Sequence, residues 1–539
     1  MRAAARVHTT TRAPLRRDAA LYRLPPDASG GRWGLGRVSR EFEASSGNLT
    51  EALIERMNGW AAREEAFAGL CLRREGWRRL PAEILLLDGS PSRMPLTAET
   101  ARVVRAWLAE RGSAIPVRVV NRREELLARV ARAPGETLVL SQTAQRSLYD
   151  SHLAEALGER GVVVVPGPIT APGGPLSNKK VTYELLNGVK ENRNGHGGRL
   201  TARYAAIEVD GDGPAASARA ILEEAARLSR RWKTSTFFVK PQEGGGGRGG
   251  FRLDLFPEGF AIPDLGRLGV PPARPYPLPL PLDPDDRGHV RALAFVAERF
   301  AASPATAKAY LQASPLTRMR KGAARAAHLA ALLRRCPPLL MADLRAAAEP
   351  FAQAQRRLAS AIENYEDLFE VRYQPLLCAW IDFGLFSLRA HLRMSRTGPV
   401  LESIYARLFP LEFTGQSVGV IGVDSIANRA DGGMEFNRYA PLHAPLAAAV
   451  GGTDALALRL RGAFHAFGRF VGLLPRAERE ALPVRAEFDI SPLNGLIAEG
   501  NADPVRAHCV NTRWGRFRAD TRAWLEDALA YYSWKTSGG

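Results

Sequence analysis

Short apolar runs alternate with stretches of helical spacing early in the chain. EILLLD (83–88) reads as a buried strand, followed by Gly-Ser-Pro and a helical stretch at 97–111. The strand-like runs PVRVV (116–120), TLVLS (137–141) and GVVVVPG (161–167) follow, with helical segments between them, the last being SHLAEALGER. Strands and helices taking turns in this way predict a parallel α/β sheet, so residues 82–176 are expected to form a small Rossmann-like domain. It has no GxGxxG, which argues against a dinucleotide site. The preceding residues, 1–81, are helix-like but irregular, and the pattern assigns them no role. Their Arg-rich, acid-poor start lacks the apolar stretch of a secretory signal, and reads more readily as a disordered arm than as an organelle-targeting peptide.

A second unit, 177–261, opens with SNKKVTYELLNG and ends on a glycine-rich hairpin. Residues 262–365 begin proline-dense, which removes backbone donors, and continue Ala/Arg-rich with helical spacing broken at Pro304, Pro315 and Pro337-Pro338. They read as a linker and a helical insertion. A third unit, 366–525, carries strands at 375–381, 386–394 and 399–406 and a helical region at 442–474. It ends in a hairpin, 485–501, turning at Asn494-Gly495, with a tail at 526–539. The whole is expected to be α/β (α+β). No apolar run approaches the ~18–20 residues that span a bilayer, and no internal repeat is present.

Charge changes the picture less than its size implies. The net charge is +18, yet of 74 basic residues only eight are lysine. In a chain so rich in Arg, Ala, Gly and Pro, basicity is partly compositional, and the surplus is expected to attract anionic small ligands; nucleic acid is not an expected partner. The retained lysines are the informative positions, because an ammonium is a compact point charge where Arg is a planar fork. The cysteines Cys71, Cys336, Cys378 and Cys509 form no CxxC pair, against a zinc site or a disulfide framework, and a reducing cytoplasm is the expected compartment.

Two segments carry candidate chemistry. In TFFVKPQEGGGGRGGFRLDL (236–255) a strand ends at Lys240-Pro241, and Gly244, Gly245, Gly246, Gly247, Arg248, Gly249 and Gly250 precede a second strand. Glycines let backbone N–H groups approach polyphosphate oxygens, while Lys240 and Arg248 supply charge. No Walker A sequence is present, and a strand follows the loop, not a helix. In the terminal hairpin Glu499 and Asn501, two apart, project from one strand face, and Glu487 or Asp489 on the returning strand can face them. Carboxylates and an amide oxygen that converge make a hard oxygen site suited to Mg²⁺.

Together these segments resemble the ATP-grasp superfamily, to which biotin carboxylase, D-alanine–D-alanine ligase and glutathione synthetase belong, over about 160–505. The order is similar: Asn178-Lys179-Lys180 before a helix, then a second lysine with a glycine-rich lid, then acidic-x₁₁-Glu-x-Asn. The twelve residues from Glu487 to Glu499 are the family's usual spacing, so the resemblance favours Glu487 over Asp489 as first metal ligand. The resemblance implies an ATP-grasp fold after a Rossmann-like domain, with ATP on Lys179 or Lys180, Lys240, Gly244 to Gly247 and Arg248. Backbone groups at Trp380 and Ile381 would read adenine, and Asp382 would lie near the ribose. Arg389 and Arg407 would join Arg248 as catalytic contacts to phosphate or carboxylate, and Glu487, Glu499 and Asn501 would hold Mg²⁺, or Mn²⁺ in its place. Two departures stand out: Cys378-Ala379 occupy hinge positions where the family often has an acid, and about 100 residues separate lid from hinge.

The reaction so implied is carboxylate activation by ATP and capture of the acyl phosphate by an amine, less often a thiol. The carboxylate could belong to a small molecule or a peptide. The rivals are a phosphotransferase on the same fold, a basic nucleic-acid-binding protein and a regulatory ATP-binding protein without catalysis. Basic stretches at 318–336 and 511–524 match no nucleic-acid module. With Lys240 at the mouth of the glycine loop, its replacement by alanine is expected to weaken ATP binding and leave the ligand-free melting temperature nearly unchanged.

Overall fold

The computed structural model describes residues 49–73, 77–87, 95–141, 148–171, 173–187, 199–209, 213–243, 249–262, 265, 268, 345–381, 383, 386–408, 438–440, 442, 444–502 and 514–538. Gly244 to Gly247, Arg248, Asp382 and most of the expected insertion lie outside them, as does the side chain of Arg407.

The first sheet is parallel. Strands β1 (Glu83–Leu87), β2 (Val117–Val120), β3 (Thr137–Ser141) and β4 (Val163–Val165) stand in the order β2-β1-β3-β4. Strand side chains alternate, so β1 is buried on both faces. Leu85 and Leu87 meet Leu126 of α3 (Arg123–Val130) and Leu153 and Leu157 of α4 (Ser151–Glu159). Ile84 and Leu86 meet Val104 and Trp107 of α2 (Pro95–Glu110). This is the α/β sheet expected from the apolar runs. Asp150 caps α4 by accepting from the Leu153 N–H at 2.7 Å.

Two antiparallel sheets follow. The second sheet runs β5-β9-β6-β7-β8, from β5 (Tyr204–Ala206), β6 (Thr236–Pro241), β7 (Phe251–Phe256), β8 (Gly259–Ala261) and β9 (Pro375–Ala379). Phe237, Val239, Phe251, Leu253 and Leu377 form its apolar face against α6 (Pro214–Trp232) and α7 (Phe351–Phe369). The buried stripe of α6 is Ala218, Ile221, Leu222, Ala225 and Leu228, the helical spacing that one-sided burial requires. Gly249, at φ +75°, closes the β6–β7 hairpin where a Cβ would stand 2.7 Å from the Tyr365 ring.

The third sheet runs β12-β11-β10-β13-β14, from β10 (Phe386–Ser395), β11 (Gly398–Leu408), β12 (Arg438–Ala440), β13 (Arg485–Ile490) and β14 (Ile497–Ala502). Leu388, Ala390, Ile404, Ala406, Phe488 and Ile490 share a core with Leu460, Phe464, Phe467 and Phe470 of the long helix α9 (Gly452–Gly472), which follows the short α8 (Ala444–Ala449). Helix α9 is followed by a single turn, α10 (Arg476–Arg479). The hairpin departs from the two-residue turn that Asn494-Gly495 implies. Ile490 pairs with Ile497, leaving a six-residue loop in which Ser491 N–H donates to the Leu496 carbonyl at 2.8 Å.

Both ends of the described chain join this core. Helix α1 (Thr50–Ala61), in the stretch to which the sequence pattern assigns no role, buries Leu53, Ile54 and Met57 against β11 and α9. Its Asn58 side chain exchanges two hydrogen bonds with the Leu401 backbone, at 3.2 and 2.7 Å. Helix α11 (Trp514–Thr536) runs across the boundary expected at 525/526 and packs on α2 and β4. Among the described residues no helix is long and apolar enough to cross a membrane.

Candidate active site

One face of the third sheet is apolar and packed on α9. The other is polar and also buried. The alternation that sends Leu388 and Ala390 into the core sends Ser387, Arg389 and His391 the opposite way, and the neighbouring strands keep that register. Across four strands stand Ser403, His391, Glu487 and Asn501, each directly opposite the next. The adjoining row holds Arg389, Asp489 and Glu499. Both acids of β13 therefore share the face of Glu499 and Asn501, and Glu487 is the one opposite Asn501.

A buried carboxylate is costly unless paired, and Arg389 pairs two. Its Nε donates to Asp489 Oδ1 at 2.7 Å and its Nη2 to Asp489 Oδ2 at 2.5 Å, while Nη1 lies 2.6 Å from Glu487 Oε1. Burial pushes both carboxyls up, and the guanidinium pulls them down against it. Asn501 Nδ2 donates to Glu487 Oε1 at 3.0 Å. The second oxygen, Glu487 Oε2, is buried without a hydrogen bond, as are the Ser387 and Ser403 hydroxyls, and His391 Nε2 lies 3.9 Å from it. Arg389 thus meets acids of its own chain, a use not foreseen from sequence, where it was expected on phosphate or a substrate carboxylate.

Lys240 belongs to the second sheet. Its neighbours Phe237 and Val239 face α6 and α7, so the pleat turns Lys240 toward helix α5 (Lys179–Asn187). Its Nζ donates to Tyr183 Oη at 2.9 Å and to the Ala498 carbonyl at 2.9 Å, and Tyr183 Oη donates to the same carbonyl at 2.7 Å. Ala498 precedes Glu499 on β14. One lysine therefore joins the polar faces of two sheets. Burial raises the Tyr183 hydroxyl and keeps it a neutral donor.

Only 5% exposed, Lys240 is not at the open mouth of a loop. The expectation that alanine there would spare the ligand-free fold is accordingly corrected. Lys240→Ala also removes charge-assisted hydrogen bonds to Tyr183 and Ala498, each worth about 1.5–3 kcal/mol.

Asn178 caps α5, its Oδ1 accepting from the Lys180 N–H at 2.9 Å and the Val181 N–H at 3.3 Å. The Lys179 N–H donates to the Gln242 carbonyl at 2.8 Å, which ties the first lysine element to the end of β6. At the expected hinge Trp380 N–H donates to the Thr236 carbonyl at 3.2 Å. The Arg252 guanidinium lies 4.9 Å from the Trp380 ring centroid and makes a buried bidentate pair with Asp254, at 2.6 and 2.9 Å. The Arg407 backbone is opposite Ser387 on β10. Sequence reasoning missed Tyr183, His391, Arg252 and Asp254. The alternation FRLDL, polar residues between apolar ones, was the available signal for the last two.

Further along the polar face, Arg393 bonds Glu402 at 2.8 Å and Asp527 of α11 at 2.6 Å. Arg485 lies 3.7 Å from Glu402 and 4.4 Å from the Trp524 ring centroid. Burial pushes the Asp527 carboxyl up to about 6, against the pull of Arg393. That value lies above the ~3.9 of an unfolded aspartate, so the folded state favours the protonated form. The contribution of Asp527 to stability is greatest below about pH 4 and is lost as pH rises through about 6, a change of about 2–3 kcal/mol. Thermal melts across this window should show wild type losing stability relative to Asp527→Asn. A wild type that gains on the variant as pH rises would contradict this account of α11.

No family model and no curated protein matches the chain. Distant likenesses exist among solved structures. D-alanine–D-alanine ligase from Coxiella burnetii shows 10% identity over 85% of this chain and 96% of its own, with a TM-score of 0.39. N5-carboxyaminoimidazole synthetase from Staphylococcus aureus, complexed with ADP, shows 8% identity over 80% and 73%, at 0.36. Biotin carboxylase from Campylobacter jejuni, in a beta-gamma-ATP complex, shows 9% identity over 79% and 67%, at 0.36. The chain's own topology is a parallel α/β sheet followed by two antiparallel sheets that meet at Lys240 and Ala498.

Proposed function

We propose that the protein is an ATP-dependent ligase that phosphorylates a carboxylate and passes its acyl group to an amine. The observation that supports this most is the seam where Lys240 of β6 reaches β14 beside Glu499. A buried cation suited to phosphate and a set of oxygen ligands meet there.

In this reading Lys240, Gly244 to Gly247 and Arg248 hold the ATP phosphates, with Lys179 or Lys180 at the N-terminus of α5. Trp380 and Ile381 offer backbone groups to adenine, and Asp382 lies by the ribose. Glu487, Glu499 and Asn501 are the residues that would hold Mg²⁺. The unbonded buried oxygen of Glu487 fits a hard cation, and all three supply oxygen. Bound there, the ion would offset negative charge on the phosphates during transfer. Arg389 fixes Glu487 and Asp489 in place, so the acids need not reorganise as charge develops.

A carboxylate oxygen of the substrate attacks the γ-phosphorus, the bond to the leaving oxygen breaks, and ADP departs with that electron pair. The amine attacks the acyl carbon, the bond to phosphate breaks, and inorganic phosphate leaves as the nitrogen loses its proton to solvent. Catalysis is then positioning plus electrostatics.

Hydroxylamine intercepts acyl phosphates, so a panel of carboxylates incubated with ATP, Mg²⁺ and hydroxylamine tests the reading. Hydroxamate that requires both ATP and one class of carboxylate is expected. ADP formation without hydroxamate under every carboxylate would favour the phosphotransferase.

The same reading gives the basic surplus no polynucleotide to bind. At ~150 mM salt, duplex and single-stranded oligonucleotides should bind no tighter than the non-specific range, with dissociation constants of about 10⁻⁶ M or weaker. Nanomolar binding with steep salt dependence would move the nucleic-acid reading ahead.

A further inference from the structure

We propose that a cleft at the outer edge of the second sheet is a binding site for a small polyanion, separate from the phosphate seam. Strand β5 is the edge strand there, and the cleft forms between it, the residues leading into it and the C-terminal end of α6. Arg199, Arg203, Arg227 and Arg231 line it, with Tyr204 and Trp232 as flat walls, and it encloses about 380 Å³. That is the size of a small-molecule site, ~300–1,000 Å³, and too confined for a duplex.

Four arginines line one concavity, and no acidic residue is among the described residues that line it. Arg227 already has Glu224 as a counter-charge, and an anion seated in the cleft would add one for its neighbours. Two of the four are held in place. Arg227 is bidentate on Glu224 of its own helix, and Arg203 Nη1 donates to the Trp232 carbonyl at 3.3 Å. That carbonyl belongs to the last turn of α6, whose dipole is negative, so Arg203 and Arg231 also offset a charge that would otherwise repel the ligand. The planar forks of arginine suit the paired oxygens of phosphate or carboxylate. The ligand is therefore a small molecule carrying two or more phosphate or carboxylate groups. The Tyr204 ring, 5.1 Å from that of Tyr183, is the wall between this cleft and the Lys240 network.

Calorimetric titration of the full chain with inorganic pyrophosphate and with citrate tests this, one probe for each source of charge. The variants are the double change Arg203→Gln and Arg231→Gln, both exposed positions, and Lys240→Gln at the seam. Wild type and Lys240→Gln should bind at least one probe equally, and the double variant should bind it about tenfold more weakly or worse, with an unchanged melting temperature. Failure of both probes to bind wild type would overturn the proposal. So would equal binding by the double variant, or a loss confined to Lys240→Gln, which would place the anion at the seam. Tight binding of a single-stranded oligonucleotide that the double variant loses would replace the small ligand by a nucleic acid. Whether ATP turns over does not enter any of these readouts, so the proposed ligase reaction can fail while this site stands.

Discussion

Arg389→Ala should destabilise the protein by about 3–5 kcal/mol, because it removes the guanidinium paired with both buried carboxylates, Asp489 and Glu487. The two acids would answer by taking up protons, so the loss should be smaller at acid pH than at neutral pH. Arg389→Lys should recover only part of it, since an ammonium cannot reproduce the bidentate pair with Asp489 and reach Glu487 as well. Removing Asp489 in the alanine background should recover some stability by removing one of the two buried carboxylates. Denaturant melts of these variants at two pH values supply the comparison. An Arg389→Ala protein that melts with the wild type at neutral pH would mean that the pairing contributes nothing to the native state.

Glu499→Gln should do the reverse, sparing the fold and damaging turnover. The substitution keeps shape and deletes one negative charge beside Ala498, where Lys240 is bonded. The proposed contacts of Lys240, Arg248 and the glycine loop with phosphate would persist, while the oxygen set proposed for the cation loses one negative charge. A fall in turnover of about 10²–10³ is expected, the range seen when one electrostatic stabiliser is removed from an active site. Nucleotide binding should weaken much less. In wild type, Mg²⁺ should raise the melting temperature when ATP is present, and the variant should show a smaller rise. If the variant keeps both the rise and the turnover, Glu499 is no metal ligand.

What the sequence revealed and what it hid divide along local and non-local order. The β13–β14 hairpin was legible because apolar and acidic residues alternate along β13 with a period of two, and the two-residue spacing of Glu499 and Asn501 puts them on one face. The strands of the first sheet were legible as apolar runs between helices. The pairing of Arg389 with Asp489 joins residues 100 apart in sequence, through a strand order that no local pattern encodes. Tyr183 and Lys240 are 57 apart and meet only because α5 lies over the second sheet. Lys240 looked like the rim of a loop because glycines follow it, whereas the pleat of β6 turns its side chain into the seam. Helix α1 looked irregular because its apolar stripe is short, and its partners β11 and α9 are distant in sequence. Asn494-Gly495 marked the turn but not its width, since the register Ile490–Ile497 leaves four further residues in the loop.

In the proposed reading ATP phosphates bind at the seam between the two antiparallel sheets, on Lys240. Calorimetric titration of Mg·ATP into wild type and into Lys240→Gln, which keeps a hydrogen-bond donor near Ala498, tests it most directly. Wild type should bind one nucleotide per chain, and the variant should bind it about tenfold or more weakly, the loss of one charge-assisted contact. Equal affinities in the two proteins, or no binding by wild type, would contradict it.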